Sequence, residues 1–220
     1  MTAAVIFDVD GTLVDSVDFH AKAWERAFAR FGKDIGFDTL RSQIGKGGDQ
    51  LMPEFLSEAE LKSFGQKLEE TRSDIFKTEY LHRVKGFPGV PDLLEEIRRR
   101  GRRVALASSA KGDELKVYKQ AAGIKGLTDV ETSSDDAAKS KPHPDIFQAA
   151  LGRLKLAPDQ AVVVGDTPYD ADAARKAGVA SIGVLCGGFD GDDIRRAGAG
   201  RVYRDPQDLL AHIDEWLARA

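Results

Sequence analysis

Ala3-Ala4-Val5-Ile6-Phe7-Asp8-Val9-Asp10-Gly11-Thr12-Leu13-Val14-Asp15 decides the reading of this chain: an apolar run breaks off into two acids one residue apart. The apolar residues suit a buried β-strand, and Asp-Gly-Thr is turn chemistry. If the strand stays regular to its tip, Asp8 and Asp10 project from the same face, because side chains two apart do so. Like charges that close repel, and a divalent cation is the usual remedy. An EF-hand calcium loop also starts Asp-x-Asp, but its required Gly and Glu positions hold Leu13 and Phe19 here. Solvated turn acids remain the competing reading of this stretch taken alone.

A chain of 220 residues that is 42 % hydrophobic can hold one large α/β domain, or a core domain with a small module. The formal charge of −4 and the scattered basic residues exclude a polyanion partner, so no nucleic acid is expected. Arg98-Arg99-Arg100-Gly101-Arg102-Arg103 sits between a helix end and a strand start, where Arg complements the helix dipole. Cys186 is the only cysteine, which rules out an intrachain disulfide and suits a reducing cytoplasm. No stretch approaches the ~20 apolar residues of a membrane span, and no basic leader region opens the chain. A soluble, unprocessed, cytoplasmic protein is expected, with no membrane partner.

From Pro88 onward, short β-rich runs alternate with amphipathic helical patterns, the signature of a parallel sheet with crossover helices. Strands are predicted over residues 3–9, 103–108, 130–133, 161–165, 181–185 and 201–203. Asp205-Pro206 reads as the N-cap and first residue of the last helix. Residues 17–85 read instead as consecutive helices without a convincing strand. His20, Trp24, Ala27, Phe28 and Phe31 share one helical face, Gly32 can end that helix, and Ser57 with Glu60 forms a capping box. Gly65 is a point at which the following region could divide. Seventy helical residues are too many for a connection, so the expected organisation is a core of residues 1–16 and 86–220 with a helical cap of 17–85. The fold class is α/β, a Rossmann-like parallel sheet with helices on both faces and an inserted α-helical cap.

Three further clusters fall at predicted strand ends, where open α/β sheets place their ligands. They are Ser108-Ser109, Lys139-Ser140-Lys141-Pro142-His143-Pro144-Asp145, and Gly165-Asp166-Thr167-Pro168-Tyr169-Asp170. Each has a bland alternative: the Ser and Asp residues could only cap helices, and the Lys could be solvated. Together with Asp8-Val9-Asp10-Gly11-Thr12, in this order, they resemble the haloacid dehalogenase superfamily of hydrolases. The resemblance covers essentially the whole chain and points to the helical-cap phosphatase branch, alongside phosphoglycolate phosphatases and β-phosphoglucomutase-like members.

The resemblance implies Mg²⁺-dependent hydrolysis of a small phosphorylated metabolite through an aspartyl-phosphate. The residues present suit that chemistry, which is largely charge neutralisation and in-line positioning. Asp8 would be the nucleophile and Asp10 the acid/base. Ser108 would donate to a phosphate oxygen, and Lys141 would offset charge. Mg²⁺ would lie on Asp8, Asp10 (family precedent supplies its backbone carbonyl), Asp166 and Asp170, with the choice between the last two open. Ser109, His20, Lys46 and Gly47 are candidates for phosphate or substrate contact, although His20 could equally be a packed core histidine. Dehalogenation is disfavoured because a halide leaving group needs no second acid such as Asp10. A sugar-phosphate mutase is the closer alternative, but Lys46-Gly47-Gly48-Asp49-Gln50 places an Asp where such an enzyme needs a cation for a second phosphate. A non-catalytic phosphate-binding regulator on the same fold is the second alternative. A monomer or homodimer is expected.

Overall fold

Alternation along β1 (Ala4–Phe7) divides the apolar residues into two layers. Ala4 and Ile6 join Ala105, Ala107 and Val163 beneath the helices Asp145–Leu154 and Pro168–Lys176. Val5 and Phe7 join Leu106 and Val164 against the helices Val90–Arg99 and Pro206–Ala211 on the other face. Because both faces are covered, the strands are nearly continuous apolar runs, as in Val162-Val163-Val164. The computed structural model describes residues 2–217. Met1 and residues 218–220, the outer ends of the expected core segments, lie outside the described residues.

The remaining strands are β2 (Val14–Asp15), β3 (Lys85–Gly86), β4 (Arg103–Ala107), β5 (Val130–Thr132), β6 (Ala161–Gly165), β7 (Ala180–Val184) and β8 (Arg201–Tyr203). Five of them join β1 in one parallel sheet in the order β5-β4-β1-β6-β7-β8. The chain leaves β1 toward β4 and β5, then returns to lay β6 on the opposite side of β1. This reversal opens a crevice at the carboxyl ends of β4, β1 and β6, the place where such sheets bind ligands.

Residues between β2 and β3 are helical, as their sequence pattern predicts. The helix Val17–Arg30 buries His20, Ala23, Trp24, Ala27 and Phe28 on one side. Gly32 follows it with φ of +74°, a left-handed conformation that glycine adopts without strain. Two details depart from the sequence reading. Gly65 does not divide the second helical region: residues 61–65 widen into a π-helical turn, and the helix runs on through Gln66–Ile75. Lys85, expected to lie in a strandless segment, pairs in β3 with Asp15 while Gly86 pairs with Val14. A two-residue ribbon is too short to show a period in sequence, yet it clips together both ends of the helical segment.

Phe28 is fully buried, tilted against Trp24 at 5.6 Å and edge-on to Phe55 at 5.6 Å. Phe28→Ala is expected to lower unfolding free energy by about 3–5 kcal/mol in a denaturant titration. A loss below ~1 kcal/mol would show that this aromatic cluster does not hold the helical segment together.

Candidate active site

Each acid of the site is placed by the end of a strand. β1 stops at Phe7, but Asp8 N–H still donates to Val164 O at 2.9 Å, so the backbone there continues the sheet. Asp8 is 3 % exposed. Both acids follow the end of the strand, and the chain then turns through Gly11, which has φ of +79°; Asp8 and Asp10 therefore do not lie on one regular strand edge. The Asp10 carboxylate instead accepts from Ser16 Oγ at 2.5 Å and lies 3.0 Å from His20 Nε2.

Lys141 is 1 % exposed and donates from Nζ to Asp8 Oδ1 and, at 2.8 Å, to Asp170 Oδ1. Burial alone would push its proton off, but the Asp170 and Asp8 carboxylates more than compensate and hold the ammonium charged. Burial likewise pushes the Asp8 carboxyl up to about 7; Lys141 opposes the shift, while Asp170 and Asp10 add to it. Asp166 is raised well above the usual carboxylate range, first by burial and then by repulsion from Asp8 and Asp170. Asp10 shows the opposite balance. Its burial is outweighed by His20, Ser16 and Tyr118, which hold it below its ordinary value.

The helix after β6 settles the bland reading of its two acids. Its N-cap is Thr167, not Asp166, and Asp170 closes a capping box by accepting from Thr167 N–H at 3.1 Å and from Thr167 Oγ1 at 2.6 Å. With Oδ1 taken by Lys141 and Oδ2 by Thr167, Asp170 is fully engaged. Asp166 is not: Oδ1 accepts from Thr12 Oγ1 at 3.0 Å, while the buried Oδ2 has no partner. That orphaned oxygen lies against Gly11 and Gly187, where a Cβ would come within 2.3 and 1.7 Å of it.

Asp8, Asp166 and Asp170 bring carboxylate oxygens within 4.8 Å of one another. Three carboxylates share one ammonium, which leaves a buried net charge of −2 if all are ionised. An all-oxygen donor set with that deficit fits a hard divalent cation, and the orphaned Asp166 oxygen is the atom that lacks any other partner. Asp8 and Asp166 could hold such an ion, with Asp170 orienting Lys141. The Asp10 carboxylate is not among the clustered oxygens.

Ser108 is fully buried at the end of β4 and does not cap the next helix, whose N-cap is Lys111. Its Oγ accepts from Ala110 N–H at 3.0 Å, which leaves the hydroxyl proton to donate. Ser109, His20, Lys46 and Gly47 all line the cavity above Asp8 and Asp10. His20 is both packed and polar, stacked on Phe76 at 3.9 Å and 3.0 Å from the Tyr118 hydroxyl. The Lys46 ammonium is already committed to Gln43 at 2.6 Å and Glu54 at 2.8 Å. Gly47 packs where a Cβ would collide with Ser140 Oγ at 2.1 Å, beside Lys141.

Sequence reasoning did not single out Thr12 as a bridge between Asp8 Oδ2, at 3.1 Å, and Asp166. Its place inside the first motif was the only signal. Arg72 and Glu114 were also missed as cavity groups, and Tyr118 as a partner of His20, because each lies in an ordinary-looking helix.

Residues 5–184 match the family model described as haloacid dehalogenase-like hydrolase. A phosphorylated carbohydrates phosphatase of Thermotoga maritima is 29 % identical over 97 % of this chain and 99 % of its own length. A phosphoglycolate phosphatase of Yersinia pestis is 31 % identical, covering 97 % and 90 %. The crystal structure of a hydrolase from Pseudomonas syringae superposes with a TM-score of 0.87 at 31 % identity, covering 97 % of this chain and 98 % of that one. Because the family model spans residues 5–184 and a relative at 31 % identity is matched over 97 % of the chain, this chain is an enzyme of the haloacid dehalogenase-like hydrolase family.

Proposed function

We propose that the protein is a Mg²⁺-dependent phosphatase that hydrolyses a small phosphorylated metabolite through an aspartyl-phosphate on Asp8. The observation that carries this reading is the buried Asp8–Lys141 pair, set beside the orphaned Asp166 oxygen and opening into a cavity. A phosphate ester repels an anionic nucleophile, so the site must first neutralise charge. Asp8 and Asp166, with Asp170 behind them, would hold Mg²⁺, which would supply Lewis-acid neutralisation of the phosphoryl oxygens.

The remaining steps belong to the chain's own residues. An Asp8 carboxylate oxygen attacks phosphorus while the bond to the leaving oxygen breaks, and Asp10 delivers a proton to that oxygen. Asp10 is ionised in the ligand-free site, so it must acquire this proton; a phosphate dianion beside it raises its proton affinity. That proton comes from solvent or from a monoanionic substrate, and His20 holds the Asp10 carboxyl in place through a shared hydrogen bond. Ser108 donates to a non-bridging oxygen. Lys141 holds Asp8 in place and balances the phosphoryl charge. Asp10 then takes a proton from water as that water attacks phosphorus, the bond to Asp8 breaks, and inorganic phosphate leaves.

In this reading residues 17–85 act as a cap over a core of 1–16 and 86–220, with the β2–β3 ribbon between them. Three contacts support a closed arrangement: Ser140 N–H to Asp49 at 3.1 Å, Tyr169 OH to Ser42 O at 2.8 Å, and Arg41 to Gly187 O at 3.0 Å. The working unit is a cytoplasmic monomer or homodimer. Retention of a second phosphate, as a mutase requires, is opposed by Asp49, Glu69 and Glu114 in the cavity wall. The full set of competent groups argues against a purely regulatory role.

Two outcomes test the reading. Asp8→Asn is expected to keep its circular dichroism spectrum, lose Mg²⁺-dependent turnover of p-nitrophenyl phosphate and form no phosphoenzyme; substantial residual turnover would remove Asp8 as nucleophile. In thermal melts, Mg²⁺ at about 100 times its Kd is expected to stabilise the wild type by ~2.7 kcal/mol. Asp166→Asn should melt higher than the wild type without metal, since a repelled carboxylate is gone, yet lose the Mg²⁺ shift. An undiminished Mg²⁺ shift in that variant would place the ion elsewhere.

A further inference from the structure

Six charged groups in the cavity wall, Lys46, Asp49, Glu69, Arg72, Lys111 and Glu114, are left unused by the phosphoryl chemistry, and Glu114 and Arg72 are the two with buried polar atoms short of partners. Glu114, in the first turn of the helix Gly112–Ala121, is 2 % exposed and faces the cavity. Its only cationic neighbour within 4.0 Å among the described residues is Lys77 Nζ, at 3.8 Å, which already donates to Asp113 at 2.7 Å. Arg72 reaches the same cavity from the helix Gln66–Ile75, its guanidinium 5.1 Å over the Trp24 ring and its buried Nε without a partner. A buried carboxylate without a donor and a guanidinium N–H without an acceptor each cost stability until a ligand satisfies them.

We infer that Glu114 and Arg72 form a specificity pair that selects an uncharged, polyhydroxylated leaving group, so that the substrate class is a sugar or polyol phosphate. The inference rests on the phosphatase reading above. Hydroxyls supply both the donor that Glu114 lacks and the acceptor that Arg72 lacks, and they bring no charge. A leaving group ending in a carboxylate would gain Arg72 and Lys111 but meet Glu114, with Glu69 and Asp49 on the same wall and Lys46 already paired with Glu54. An added phosphate meets the same opposition with more charge. A site built to hydrogen-bond hydroxyls discriminates strongly, because an analogue without them leaves its buried groups unpaired.

The test compares kcat/KM for the best of glucose 6-, fructose 6-, sorbitol 6- and glycerol 3-phosphate with kcat/KM for 2-phosphoglycolate and O-phosphoserine. The wild type is expected to favour the polyol phosphate over 2-phosphoglycolate by about tenfold or more. Glu114→Gln leaves the pair net positive and should shrink that ratio about tenfold; Arg72→Gln leaves it net negative and should enlarge the ratio. Opposite shifts separate charge selection from simple loss of packing, which would lower both substrates together. Preference for 2-phosphoglycolate, preference for O-phosphoserine, or ratios moving in the same direction in both variants would overturn the inference while leaving the phosphatase reading intact. Absence of Mg²⁺-dependent turnover across the whole panel would overturn both.

Discussion

Burial of one ammonium among three carboxylates is the constraint on which this site depends. Lys141 sits in the interior between Asp8 and Asp170, and each partner makes the other's burial tolerable. A buried ion pair gains little net stability, because desolvation consumes most of the attraction, but removing one member leaves an uncompensated charge. The pair therefore specifies geometry more than it stabilises the fold. Asp170 in turn is fixed by the Thr167 capping box, so the first turn of a helix positions the lysine that positions Asp8. Asp166 joins this circuit only through Thr12, and its Oδ2, unpartnered among the described residues, keeps the site short of positive charge.

The parallel sheet explains why such distant residues meet. Asp8, Ser108 and Asp166 each follow directly on a strand, and the register pairs Phe7 with both Leu106 and Val164. Groups one or two residues beyond those paired positions must come out at the same level of the sheet. The reversal of strand order beside β1 leaves that level uncovered by crossover helices, and residues 41–49 fill part of the space from above. Side chains fixed at their Cα by a hydrogen-bonded backbone suit a phosphoryl group, whose shape does not vary between substrates.

Much of this was legible in the sequence because strand-end groups announce themselves: an apolar run ends, and a charged or hydroxylated residue follows where solvent would otherwise be expected. Asp8, Lys141, Asp166 and Asp170 converge as their motifs predict. What remained unreadable depends on contacts between distant helices. Glu114 in a helix's first turn looks like a solvated acid favoured by the dipole; it is buried only because the residues 66–80 region lies across it. Lys46 looked free to meet an anion, but Glu54, eight residues on, already holds it. The β2–β3 ribbon escaped notice because two residues cannot display an alternation.

Strand-end groups and helix-borne groups divide the site into rigid and adaptable parts. Asp8, Ser108 and Asp166 are short side chains on strand ends, so their positions follow from the backbone. Arg72 and Glu114 lie on helices, and Arg72 reaches the cavity through a long side chain steadied by the Trp24 ring. Changing such a residue alters the charge and hydrogen-bonding of the cavity wall without disturbing the Asp8–Lys141 geometry. The same core can thus be paired with different leaving groups by substitutions that never touch the strand ends. That separation is why the phosphoryl chemistry reads from local motifs, whereas the substrate reads only from the way the helices pack over them.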